Sequence, residues 1–151
     1  MLFNTLVVLF LSMVPVIELR GAIPVGLISG LGYPLTLTTA IIGNLVPIPF
    51  LIVYGRRVLV FLAGQKSFGG LFRWMLNLGE KKVASLKKTL FLSLWVFVAV
   101  PLPGTGAWTG ALIAITLNLK LKQSLPAIAL GVLTAAAIVT VMYFAFDIML
   151  F

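Results

Sequence analysis

The stretch that decides the fold is Thr89–Leu119, TLFLSLWVFVAVPLPGTGAWTGALIAITLNL. It lies between two basic blocks. Before it, Gly55–Lys88 carries Arg56, Arg57, Lys66, Arg73, Lys81, Lys82, Lys87 and Lys88, opposed only by Glu80. After it come Lys120 and Lys122. Basic loops stay on the cytoplasmic side of a membrane, so both ends of the stretch belong to that side. The Pro101–Gly106 break divides it into two arms of about 13 residues, each rising only about 20 Å as a helix. Neither arm crosses a hydrocarbon core of about 30 Å. The segment is expected to enter from the cytoplasm, turn inside the membrane and return as a re-entrant hairpin.

Composition supports the membrane premise. The chain has 151 residues, of which 62% are hydrophobic and 9% charged, against about 25% charged in a soluble domain. Mean hydropathy is +1.21. Eleven Lys and Arg and three acids cannot cover a soluble surface of this size. With no His and no Cys, Cys/His metal sites, Ser-His-Asp or Cys-His catalysis and disulfides are excluded. The only carboxylates are Glu18, Glu80 and Asp147, which leaves paired-carboxylate chemistry without its parts. No enzyme, cofactor or metal centre is expected. The net charge of +8 reads as topology rather than nucleic-acid binding, because the cations cluster between apolar blocks.

The first third repeats the layout. Met1–Ile17 is apolar; it lacks the basic start of a signal peptide and is expected to stay in the mature protein. Glu18-Leu19-Arg20-Gly21 breaks it, and a short arm reaches Gly32. Leu35–Tyr54 then spans, bent or unwound near Pro47 and Pro49, and Leu125–Phe151 is the second span. The expected architecture is an all-α integral membrane protein. It is an inverted repeat of two re-entrant helical hairpins, each followed by a transmembrane helix. Residues 1–151 form one membrane domain: a first half (1–54), a basic cytoplasmic segment (55–89) and a second half (90–151). Within Gly55–Lys88, Phe68, Leu71, Phe72, Met75, Leu78 and Val83 recur at nearly helical spacing. This suggests an amphipathic surface helix on anionic lipid, the alternative being a solvated loop. Gly21-Ala22 with Gly26 resembles Gly106-Ala107 with Gly110. Inverted repeats characterise secondary transporters, whose sites form where broken segments meet. Four ordinary spans is the competing architecture.

The candidate site follows from the breaks. Glu18 and Arg20 at membrane depth are costly unless paired or hydrated, and mark a pathway or substrate site. Glu18 is the candidate proton carrier. Arg20 is the candidate anion binder, a lipid phosphate for example. The bland reading is a structural ion pair. Pro103, Gly104 and Thr105 at the second tip, with Trp108 and Thr109, offer backbone groups, hydroxyls and an indole to a ligand; alternatively they form only a turn. Asn44, mid-span, is expected to hydrogen-bond another helix, meet a tip or line the cavity. Asp147 is expected to reach interfacial water.

The first break, Glu18-Leu19-Arg20-Gly21-Ala22-Ile23-Pro24-Val25-Gly26, resembles the E-x-x-G-x-P-x-G signature of DedA-like (VTT) membrane proteins. Over nearly its whole length the chain is more similar to the small multidrug export protein family, with ELRGAIP at residues 18–24 and PLPGTGAWTG at Pro101–Gly110. The resemblance implies two facing re-entrant hairpins, membrane transport and homo-oligomers. It also implies lipid handling and a part in proton-motive-force homeostasis, with Glu18 as the family's acid of the first hairpin. Two departures are visible: Leu27 follows Gly26 where DedA-like proteins carry a second acid, and the second tip has no arginine.

The functional expectation is a DedA-like transporter of the cytoplasmic membrane. It would move an amphipathic or anionic substrate, a lipid phosphate for example, with possible proton coupling. The alternatives are a small multidrug or organic-cation exporter and a non-transporting scaffold whose basic segment recruits partners. Membrane lipids and further copies of the chain are the expected partners.

Overall fold

A computed structural model describes residues 1–65, 69–71, 73–74, 77, 89–102 and 104–150, with side chains up to residue 146. Regular structure among them is entirely helical. The helices are α1 (Leu2–Met13), α2 (Glu18–Ile28), α3 (Tyr33–Leu45), α4 (Pro47–Ala63), α5 (Thr89–Ala99), α6 (Ala107–Thr116) and α7 (Leu121–Leu150).

Two helices are long and apolar enough to cross a membrane, Tyr33–Ala63 and Leu121–Phe146. The first is α3 and α4 joined through Val46, which keeps helical angles (φ −55, ψ −46). Pro47 and Pro49 therefore do not unwind the span. Lacking N–H groups, they leave the carbonyls of Gly43 and Leu45 without their helical donors, and the regular helix is interrupted at Val46 for that reason. The 31 residues rise about 46 Å, well beyond the hydrocarbon core. The span expected to stop at Tyr54 continues to Ala63, so Gly55–Ala63, with Arg56 and Arg57, is part of it. Most of the expected surface helix, Phe68, Phe72, Met75, Leu78, Glu80 and Val83 included, lies outside the described residues. So does the side chain of Asp147.

The other four helices are short, with 12, 11, 11 and 10 residues. Each rises less than about 20 Å. They pair by packing: α1 lies along α3 with α2 against both, and α5 lies along α7 with α6 against both. A glycine on the second arm lies at a close contact in each trio. A Cβ on Gly26 would stand 2.9 Å from Val8 and 2.5 Å from Thr36, and one on Gly110 would stand 2.6 Å from Val98.

The second arms end alike. Leu31 N–H donates to Gly26 O and Gly30 N–H to Leu27 O; Leu119 N–H donates to Ala114 O and Asn118 N–H to Ile115 O. Both are Schellman caps, with Gly30 (φ 78) and Asn118 (φ 54) in the left-handed position. Across the halves, α2 meets α7 and α4 meets α6.

The core is rich in alanine: Ala22, Ala40, Ala107, Ala111, Ala127 and Ala135 are fully or nearly fully buried. Phe3, Phe10, Phe50, Phe61 and Phe146 face outward. This is the membrane pattern. Lipid tails offer no hydrophobic drive between helices, so close approach over small residues holds them together. This is a membrane protein.

Gly110→Val should overpack the α5–α6–α7 contact and cost about 1–3 kcal/mol. Thermal unfolding in detergent reads this as a lower midpoint. An unchanged midpoint would mean that α5 and α7 can part to admit the side chain.

Candidate functional site

The two breaks meet, and side chains of each grip the backbone of the other. After α1 the chain turns extended at Val14. It then passes through two left-handed residues that are not glycine, Val16 (φ 81) and Glu18 (φ 50). A β-branched residue there is a true outlier, and such conformations cost about 1–3 kcal/mol each. Val16 is 97% exposed, so its own packing does not compensate. The compensation lies in where Glu18 and Arg20 end up.

Glu18 is 5% exposed. Its carboxylate accepts the N–H of Ala107 at 3.3 Å and of Trp108 at 3.0 Å. These are the first two N–H groups of α6, which have no partner inside the helix. An anion there also meets the positive end of the helix dipole. Gly106 makes the approach possible. It has φ 141 and ψ −171, a region almost reserved for glycine, and a Cβ on it would overlap the Glu18 carboxylate.

Arg20 does the opposite job at the other side of the break. Its Nη2 donates to Val98 O (3.2 Å) and Val100 O (2.9 Å), carbonyls at and just after the C-terminus of α5. Its Nη1 donates to Leu102 O (2.7 Å), Thr105 O (2.9 Å) and Thr105 Oγ1 (3.1 Å). A cation thus caps the negative end of one helix while an acid caps the positive end of the next. Thr105 Oγ1 lies within hydrogen-bond distance of Val100 O and Leu102 O and accepts from Leu102 N–H, tightening the loop that presents those carbonyls. A third tie runs the other way. The Trp108 indole donates to Met13 O, the last carbonyl of α1, at 3.0 Å.

Of the residues singled out from sequence, Glu18, Arg20, Thr105 and Trp108 converge in this clasp. Gly104 (φ 81) shapes its turn. Thr109 donates back to Gly106 O within the same tip. Pro103 lies outside the described residues. Asn44 stands apart: it is fully buried, and neither its Oδ1 nor its Nδ2 has a partner among the described residues. The expected interhelical hydrogen bond is thus not made there, and Asn44 lines neither cavity described below. The bland alternative for Glu18 and Arg20, an ion pair, gives way to two helix caps.

Sequence reasoning missed the acceptors. Val98, Val100 and Met13 contribute only carbonyl oxygens, which carry no residue-type signal. Gly106 was legible as a tip glycine, but its role as the seat of Glu18 was not.

Two cavities flank the clasp. One, about 350 Å³, has Arg20, Pro24, Pro101, Val139, Met142, Tyr143 and Phe146 around it. The four terminal N–H bonds of Arg20 point at carbonyls and Thr105, leaving Nε–H as its donor without a protein partner among the described residues. The other, about 790 Å³, is an apolar groove between α4 and α6 that ends against Met13 and Trp108.

Residues 18–138 match the family model described as "Putative small multi-drug export protein". Searches of curated proteins and of solved structures found no match.

Two substitutions test the site's energetics. A Cβ on Gly104 meets nothing within 4 Å, so Gly104→Ala should cost only the left-handed penalty of about 1–2 kcal/mol. Gly106→Ala should cost about 1.5–3 kcal/mol more, the worth of a charged hydrogen bond. Unfolding midpoints that rank the other way would mean that Glu18 does not rest on α6. Asn44→Leu should raise the midpoint, since an orphaned buried amide costs about 1–3 kcal/mol; a fall would reveal a partner for it.

Proposed function

The chain belongs to the small multi-drug export protein family, and we propose that it is a transporter of the cytoplasmic membrane worked by the clasp between its two breaks. In this reading each half is a re-entrant hairpin followed by a spanning helix. The halves insert from opposite faces, and the tips meet near the midplane. The arms support this: each is too short to cross alone, yet each pair packs along a helix that is long enough. Residues 64–88, with the basic cluster, then face the cytoplasm.

One observation carries the reading. Glu18 and Arg20, the two charges of the first break, are used on the backbone of the second. Charges and irregular backbone persist at membrane depth where protein or a water-filled cavity surrounds them. Releasing the clasp frees two N–H groups at α6 and up to four carbonyls around the C-terminal end of α5, all polar and all able to hold a solute. Proton transfer to Glu18 would remove the charge-assisted part of its two bonds and loosen α6 first.

The cavity beside Arg20 supports an amphipathic substrate with an anionic or acceptor-rich head. Its walls are mostly apolar, and its polar groups are Arg20 and the Tyr143 hydroxyl. Such a head would take over donors that Arg20 now gives to Leu102 and Thr105. Thr105, Gly104, Pro103 and Thr109 would form the moving tip. An organic cation would instead have to draw Glu18 away from α6. Transport by a chain of this size favours a homo-oligomer in a lipid bilayer.

Reconstituted protein tests this. Efflux of a fluorescent amphipathic anion and of a cationic dye is followed in proteoliposomes. Glu18→Gln and Arg20→Lys should each lower anion efflux by about tenfold or more, as lysine cannot reach several acceptors in one plane. Circular dichroism and gel filtration should show both variants folded. Full efflux by both variants would overturn the role of the clasp, and no efflux of either dye by the wild type would favour the scaffold reading. Cation efflux alone would favour the organic-cation exporter.

A further inference from the structure

We infer that the groove between α4 and α6 is a lipid site that holds one acyl chain of an anionic phospholipid, with its phosphate at Arg57. The groove has a volume of about 790 Å³, and its walls are apolar apart from Tyr54 and Thr116. It follows α4 from Val46 to Leu62, which is about 24 Å of helix. One leaflet of hydrocarbon is half of about 30 Å. The groove is therefore long enough to take a whole leaflet's chain and still reach the headgroup layer.

The cations beside the groove identify the head, with Arg57 about 16 Å of helix from Val46, one leaflet's depth. Tyr54 lines the groove, and the Arg57 guanidinium stacks over its ring at 5.8 Å from the centroid. Arg57 is exposed, so its planar fork is held by the ring and open to a phosphate. On the other wall α6 ends at Thr116, and the turn after it leads to the exposed Lys120 and Lys122. Basic pockets between membrane helices on the cytoplasmic side suit anionic headgroups.

Charge also argues against a second copy in the groove. A copy inserted the same way would bring its own Arg57, Lys120 and Lys122 to the same end, in a chain of net charge +8. At its inner end the lipid tail would touch Met13 and Trp108, the pair tied by the indole hydrogen bond. The site stands on the groove and its cations, and holds whether or not the chain transports.

Native mass spectrometry of the full chain in mild detergent tests this, with phosphatidylglycerol or phosphatidylcholine added. The wild type should retain one phosphatidylglycerol in preference to phosphatidylcholine. Leu112→Trp, which fills the groove, should abolish retention. Arg57→Gln should lower the preference about tenfold and leave phosphatidylcholine binding unchanged. Because Arg57 is exposed, this variant keeps the experiment decisive if Leu112→Trp does not fold. Equal retention of both lipids by the wild type and by Arg57→Gln would overturn the proposal in favour of non-specific annular lipid. A lipid-free dimer that Leu112→Trp or Arg57→Gln converts to monomer would overturn it in favour of a contact between copies.

Discussion

A carboxylate resting on the N-terminus of a helix holds the centre of this molecule. Glu18 accepts the first two N–H groups of α6, and much of the local backbone is arranged around that contact. Gly106 is shaped to admit it. Val16 and Glu18 take left-handed angles on the way to it. In water such a contact would compete with solvation. In a site 5% exposed there is little water to compete, and an orphaned N–H is costly. Arg20 completes the logic, since the break that exposes N–H groups at one end exposes carbonyls at the other. One turn of chain, Glu18 to Arg20, carries both complements. Polar bonds thus join the two breaks, beside Leu19 and Ala107, which both belong to the buried apolar core.

Away from the breaks the fold relies on close approach. Gly26 and Gly110 occupy corresponding places, each in a second arm pressed against its first arm and its long helix. Both second arms end in the same cap. Small residues matter because the lipid gives helices no hydrophobic reason to associate. Contact over alanine and glycine is the remaining source of cohesion, together with hydroxyls that bond within their own helices, as Thr140 does to Ala136 O. Trp95 adds a bond between helices, its indole donating to Thr134 Oγ1 on α7. Asn44 and the Thr36 hydroxyl on α3 are exceptions, buried polar groups without a partner among the described residues.

The clasp and the groove touch at Trp108. Its backbone N–H holds Glu18, its indole holds Met13, and its ring closes the inner end of the groove. Material lying in the groove therefore contacts a residue on which both breaks depend. The proposed clasp and the proposed lipid site would share one side chain.

The sequence by itself determined the class of molecule: composition demanded a membrane, and the Pro-Gly break in Thr89–Leu119 divided it into two arms that the structure shows as short helices of 11 and 10 residues. It located the second break, where Pro-x-Pro-Gly-x-Gly interrupts an apolar run, but placed the first a few residues late: the chain breaks at the apolar Val14–Ile17, and Glu18–Gly21 already form the first turn of α2. It could not set where the first long helix ends, since Arg56 and Arg57 look like a boundary although a helix tolerates them once it reaches the headgroups. Nor could it say what Glu18 and Arg20 touch. Residue types announce side chains, and both partners here are main-chain groups, alike at every position until folding orphans some of them. Only the tertiary structure decided which carbonyls and N–H groups those were, because a helix terminus becomes a binding partner only when another segment is brought against it.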